Sequence, residues 1–135
     1  MLDASVALSW FLDRPASSYA VRVKRELLAG ARAVVPALWQ AEMANGLVIA
    51  ERRRVLTASD VNNCLTDLEM LQAHAIETSP RRPTMRQTLT IARAYQLSAY
   101  DALYLDTAQG EQISLSTLDN ALRTAAQRAG VELLS

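Results

Sequence analysis

Apolar residues spaced three and four apart fill most of this chain, and five short runs without that spacing interrupt them. The segment ASVALSWFL puts Val6 and Trp10, then Leu8, Phe11 and Leu12, at helical intervals, and Asp13-Arg14-Pro15 breaks it. SSYAVRVKRELLAG carries Tyr19, Val23 and Leu27 on one stripe, with Gly30 at the C-cap. LWQAEMANGLVIAERRR predicts a longer helix, and its closing Arg52-Arg53-Arg54 suits the negative end of the helix dipole. Thr57, with Asp60 three residues on, opens a helix that runs to about His74. TMRQTLTIARAYQL and SAYDALYLDTAQ predict two consecutive helices, and NALRTAAQRAG predicts a last one ending on glycine. Between these lie MLD, RAVVPAL, AIETS, ISLSTL and VELL, which read as short strands.

Strand runs alternate with helical stretches nearly to the end. That order predicts an α/β domain of three α/β/α layers, with a central parallel sheet of about five short strands covered by helices on both faces. At 135 residues the chain is expected to be one domain, residues 1–135, with a core that needs no disulfide or structural metal. Cys64 is the single cysteine, so no internal disulfide is available and a reducing, cytoplasmic setting is expected. It stands mid-helix among Asn63, Leu65 and Leu68 and reads as a small core hydrophobe. No apolar run is long enough to span a bilayer and nothing resembles a signal peptide, so no membrane role is expected.

Charge changes this picture only through its placement. Fourteen basic and fourteen acidic residues sum to zero, which does not advertise a nucleic-acid binder. Four acids gathered into one metal site would leave the remaining surface positive. Four carboxylates do fall where such a site could form. Asp3 follows the first strand, Asp119 follows ISLSTL, Glu42 lies early in the helix after VVPAL, and Asp101 sits in the first turn of a helix. In open parallel sheets, functional groups collect at the carboxyl ends of the strands. Left alone, the acids would repel one another, and burial would raise their pKa values. A hard dication such as Mg²⁺ or Mn²⁺ removes both costs and works with substrate phosphates. It lowers the pKa of a bound water and stabilises the charge that grows in an in-line displacement. Asp101 also has a plainer reading, as the partner of Ser98 in a helix-starting capping box.

Other chemistries find no residues here. His74 is the only histidine, so zinc sites built on paired histidines and two-histidine ribonuclease chemistry are excluded. The four glycines form neither a phosphate-binding loop nor a dinucleotide fingerprint, and no GxSxG elbow occurs.

LDASVALSWFL, VVPALWQAEMANGL, LSAYDALYLDTA and LSTLDNALRTAAQRAGVELL, in that order and spacing, resemble the PIN-domain ribonucleases. More narrowly, they are similar to the VapC-type toxins of bacterial toxin–antitoxin pairs. The resemblance covers nearly the whole chain and is thinnest from Leu56 to Met85. It implies that Asp3, Glu42, Asp101 and Asp119 are the metal-binding and catalytic carboxylates. Ser5 and Thr117 match hydroxyl positions beside the acids, and Asn45 matches an asparagine one helical turn beyond the glutamate. The activity implied is Mg²⁺- or Mn²⁺-dependent endonucleolytic cleavage of RNA, by a homodimer inhibited by a cognate antitoxin. The family carries two or three more apolar residues before its first acid. Here only Met1 and Leu2 precede Asp3, so the first strand is clipped at its start, and either its register holds regardless or the strand is weakened and Asp3 less firmly placed.

Two rival readings use the same residues. A phosphatase with an aspartyl nucleophile also places an Asp after its first strand, but its DxDx[TV] motif needs an acid where Ser5 stands. A non-catalytic PIN-like binding module would keep the acids only as contacts. Arg14, Arg81 and Arg82 are candidate phosphate contacts, and Arg52–Arg54 reads as a solvated helix end.

Overall fold

Local signals start and stop most of the helices. The structure, a computed structural model, describes residues 1–135 and contains α1 (Ala4–Leu12), α2 (Ser18–Leu28), β1 (Ala33–Val35), α3 (Leu38–Arg52), α4 (Ala58–His74), β2 (Ile76–Thr78), α5 (Met85–Tyr95), α6 (Ala99–Glu111) and α7 (Asn120–Arg128). Thr57 with Asp60 and Thr84 with Gln87 form reciprocal capping boxes at α4 and α5. Gly30 and Gly130 follow α2 and α7 with φ of 107° and 70°, a region that favours glycine.

The sheet is parallel, as the alternation predicts, but thinner. Only β1 and β2 form a ladder, with Ala33, Val34 and Val35 opposite Ile76, Glu77 and Thr78. The expected strands at MLD, ISLSTL and VELL are reduced to isolated parallel bridges, Leu2 to Ser116 and Leu115 to Leu133. The first of them is short because Asp3 turns the chain straight into α1. Its register holds nonetheless. Leu2 N–H donates to the Val34 carbonyl (2.9 Å) on one side; Asp3 N–H donates to the Ser116 carbonyl (2.9 Å), and Ser116 N–H to the Met1 carbonyl (2.8 Å), on the other. Both flanks of this segment are therefore paired, and Asp3 leaves it at a fixed position.

Around this sheet the core joins Leu2, Val6, Val35, Trp39, Leu105, Leu115 and Leu122, all fully buried. Helix α1 packs on α2 and α3, α3 on α4, and α6 on α5 and α7. Gly46 makes the α1–α3 contact possible, because a Cβ there would lie 2.5 Å from a Leu8 methyl. That close approach brings the start of α1 alongside α3, which carries Glu42. Cys64 is a core residue as expected, Phe11 and Trp39 join it there, and Trp10 is half-buried with its indole N–H donating to the Ala20 carbonyl (2.8 Å). No helix is long and apolar enough to cross a membrane.

Candidate active site

Asp3 is the most enclosed of the four predicted acids, at 6% exposure. It occupies the N-cap position of α1, yet its carboxylate makes no capping bond. Two hydroxyls hold it instead. Thr117 Oγ1 donates to Asp3 Oδ2 at 2.6 Å, and Ser5 Oγ donates to the same oxygen. The direction of both bonds is fixed by what stands behind them. Asp119 N–H donates to Thr117 Oγ1 and Leu118 N–H donates to Ser5 Oγ, both at 3.0 Å. A backbone N–H can only donate and a carboxylate can only accept, so each hydroxyl proton is committed to Asp3. The parallel bridge between Leu2 and Ser116 creates this arrangement, since it sets the residues that follow each of them side by side.

The second wall comes from α3 and α6. Tyr104, wholly buried on α6, donates its hydroxyl to Glu42 Oε2 and accepts from Ala4 N–H (3.4 Å). One phenol thus ties α6 to α3 and to the start of α1. Asp101 lies one helical turn before Tyr104, half-buried, with Ser98 Oγ donating to its Oδ2 (2.6 Å). Ser98 caps α6 by accepting from Asp101 N–H (3.0 Å), but the Asp101 carboxylate does not bond back to the Ser98 N–H, so the capping box expected from sequence forms only by half.

These carboxylates sense one another. Burial raises the pKa of Asp3, the Ser5 and Thr117 hydroxyls oppose that rise, and the charge on Asp101 adds to it. Burial likewise raises Glu42; Tyr104 opposes it, and the charges on Asp3 and Asp101 add to it. Tyr104 is pushed far above the usual phenol value by burial and by its bond to Glu42, so it stays a donor. Asp3, Glu42 and Asp101 therefore form one electrostatic group.

Asp119 and Asn45 stand apart from it. The Asp119 side chain is exposed and caps α7, accepting from Leu122 N–H at 2.8 Å, so Asp119 reaches the group only through its backbone bond to Thr117. Asn45 is exposed one turn beyond Glu42 and its side chain makes no hydrogen bond. The side chains as they stand bring no three acids close enough to grip one ion together. The donor set nonetheless fits Mg²⁺ or Mn²⁺. It is all oxygen, its members repel one another, and Mg²⁺ takes only one or two carboxylates while keeping several waters.

Two cations proposed from sequence for RNA are occupied elsewhere. Arg81 pairs with the buried Asp106 (3.1 Å), and Arg82 donates to the carbonyls of Ser79 and Arg81, both at 2.9 Å. They fasten the Pro80–Pro83 loop to α6 and to itself. Sequence reasoning missed Tyr104 as a site residue. Its place one helical turn beyond Asp101, on the same face of α6, is the signal that could have found it.

A parallel-sheet α/β domain with grouped carboxylates at the strand ends describes a class of metal-dependent phosphate-processing proteins. The family model "PIN domain" matches residues 1–127, and the chain belongs to that family. PIN domains are typically metal-dependent nucleases. Among solved structures, the chain is similar in fold to the crystal structure of PAE2754 from Pyrobaculum aerophilum, with a TM-score of 0.69 and 21% sequence identity over 92% of this chain and 82% of that one. No curated protein matches the sequence.

Proposed function

We propose that this protein is a Mg²⁺- or Mn²⁺-dependent endoribonuclease acting as the toxin of a toxin–antitoxin pair, a single domain over residues 1–135, cytoplasmic, homodimeric and restrained by a cognate antitoxin. The observation that carries the nuclease reading is the buried Asp3 carboxylate, fixed by two hydroxyls and raised in pKa by burial and by Asp101. A polypeptide gains nothing in stability from such a group, so its upkeep points to a ligand that the charge serves.

Asp3 and Asp101 hold the ion in this reading, and Glu42 and Asp119 complete the site directly or through water. Bound there, the dication supplies Lewis acidity toward water and phosphoryl oxygens. The rest falls to the chain. Ser5 and Thr117 orient Asp3 and favour its charged form, Tyr104 keeps Glu42 pointed at the group, and one of the acids holds or deprotonates the attacking water. Attack on phosphorus breaks the bond to the 3′ oxygen of the preceding nucleotide, leaving a 5′-phosphate and a 3′-hydroxyl. The rival phosphatase reading lacks its second acid, because residue 5 is Ser and that Ser donates to Asp3.

The test is cleavage of total cellular RNA by purified protein with Mg²⁺ or Mn²⁺, followed by sequencing of the new ends. The expected result is discrete cuts bearing 5′-phosphates, stopped by chelator and absent from Asp3→Asn and Asp101→Asn. Full activity in either folded variant would sink the assignment, and calorimetry showing no Mn²⁺ binding would favour a non-catalytic module. Co-purification with the product of an adjacent small gene, which then blocks cleavage, tests the toxin role.

A further inference from the structure

We infer that Arg123 is a phosphate-binding residue at the rim of the acidic group. The inference rests on the nuclease reading and adds to it a residue that takes the substrate backbone. Asp3, Glu42 and Asp101 act on one another through their charges and together repel a polyanion, so RNA that approaches Asp3 needs a cation beside it. Two arginines are already neutralised, Arg81 by Asp106 and Arg32 by Glu77.

Arg123 meets this need. It is half-buried in the first turns of α7, and its guanidinium runs back past the start of that helix to donate from Nη1 to the Thr117 carbonyl at 3.2 Å. Thr117 is the residue whose hydroxyl holds Asp3. The cation is thus anchored to the backbone of the same residue that fixes the central acid, at the carboxyl end of the sheet. This is its only hydrogen bond in the protein, and no carboxylate lies within ion-pair distance. An arginine has five N–H donors, so most of its donors and its whole charge are left for an anion. Asp119, one turn earlier on α7, does not neutralise it, because that carboxylate is turned onto the Leu122 N–H. The capping bond at Asp119 thus leaves the Arg123 guanidinium without a carboxylate partner. A guanidinium suits a phosphate better than an ammonium does, because it can present two parallel N–H bonds.

The experiment uses full-length protein carrying Asp3→Asn to stop cleavage, a labelled single-stranded oligouridine, Mg²⁺, and a series of KCl concentrations. Arg123→Gln in that background is expected to weaken binding roughly tenfold, as loss of a charge-assisted bond should. It is also expected to lower the slope of log affinity against log salt by about 0.7, the value for one phosphate contact on a single strand. Arg123→Lys should restore the slope and part of the affinity. An unchanged slope in Arg123→Gln would overturn the inference while leaving the nuclease reading intact. Equal losses in the Gln and Lys variants would also overturn it, assigning the residue to support of the Thr117 carbonyl. If the protein with Arg123 intact binds no RNA at all, the nuclease reading falls and this inference falls with it. Melting curves on both variants separate a folding defect from a binding one, and Arg123→Lys keeps the question decidable if Arg123→Gln is unstable.

Discussion

Tyr104→Phe removes one oxygen from the centre of the site and nothing else. The ring keeps its fully buried place in the core, so no cavity larger than the hydroxyl opens. Two bonds are lost: the donation to the Glu42 carboxylate, and the acceptance from Ala4 N–H at 3.4 Å. The second is long and contributes little. The first is charge-assisted, a class worth about 1.5–3 kcal/mol. Glu42 is only half-buried, so water can take up part of the loss, and the expected cost is about 1.5 kcal/mol at neutral pH. For a domain of this size that is a fall in Tm of roughly 6 °C.

The pH dependence distinguishes this mechanism from simple loss of packing. Glu42 is an acid whose folded pKa already lies above its unfolded value, chiefly through burial. Such a group costs stability as pH rises from the unfolded pKa through the folded one, because the folded state holds the proton more tightly. Removing the hydroxyl that favours the charged form raises the folded pKa further and deepens that cost. The Tm gap between wild type and Tyr104→Phe should therefore be widest at neutral to mildly alkaline pH and should narrow toward pH 4, where Glu42 is protonated in both states. Thermal melts followed by circular dichroism across that range measure it. A gap that is constant with pH, or that widens on acidification, would refute the assignment of the hydroxyl to the Glu42 carboxylate. Mn²⁺ affinity supplies a second readout, expected to fall about tenfold, as loss of an orienting partner does elsewhere.

Asp3→Asn should abolish cleavage and raise the Tm of the metal-free protein by roughly 4 °C, because it removes a buried charge while its carbonyl oxygen still accepts from Ser5 and Thr117; calorimetry at neutral pH checks this, and a lower Tm would contradict it. The raised pKa of Asp3 also makes the metal-free wild type lose stability as pH climbs from about 4 through its folded value, a decline that should vanish in Asp3→Asn. Gly46→Ala should cost about 2 kcal/mol in urea titrations despite the better helix propensity of alanine, since its Cβ would meet a Leu8 methyl at 2.5 Å. Gly110→Ala should also destabilise the wild type, because its Cβ would sit 2.1 Å from the Arg81 guanidinium carbon that pairs with Asp106, yet it should gain about 1 kcal/mol in an Arg81→Ala background.

What the amino-acid sequence makes legible is whatever depends on neighbours along the chain. Thr57 with Asp60, Ser98, Gly30 and Gly130 set helix boundaries through local bonds and conformations where the pattern put them, although Asp101 does not return the bond that would complete a box with Ser98. The order of strands and helices gave the parallel sheet, because strands joined by helical crossovers have few other ways to pair. The length of the strands was not legible in the same way. An apolar run such as ISLSTL has the residues of a strand, but a ladder also needs a partner extended over the same stretch. MLD ends at the turn into α1 and offers only Leu2.

The candidate site divides along the same line. That Asp3, Glu42 and Asp119 follow strand segments and that Asp101 opens a helix follows from chain order. Where each carboxylate then points depends on contacts between residues far apart in sequence. Thr117 holds Asp3 across 114 residues and Tyr104 holds Glu42 across 62, so both turn toward the group. Asp119 meets a local competitor, the free N–H of Leu122 three residues on, and its side chain goes there. The same local preference that makes Asp a good helix cap thus opposes its use as a ligand, and only a bound cation could draw it away. Asp101 shows that the conflict can be settled otherwise. There Ser98 supplies the cap oxygen, which leaves the carboxylate free to act on Asp3 and Glu42. The difference between the two aspartates lies in who caps the helix, and it makes Asp101 a standing member of the group and Asp119 a conditional one.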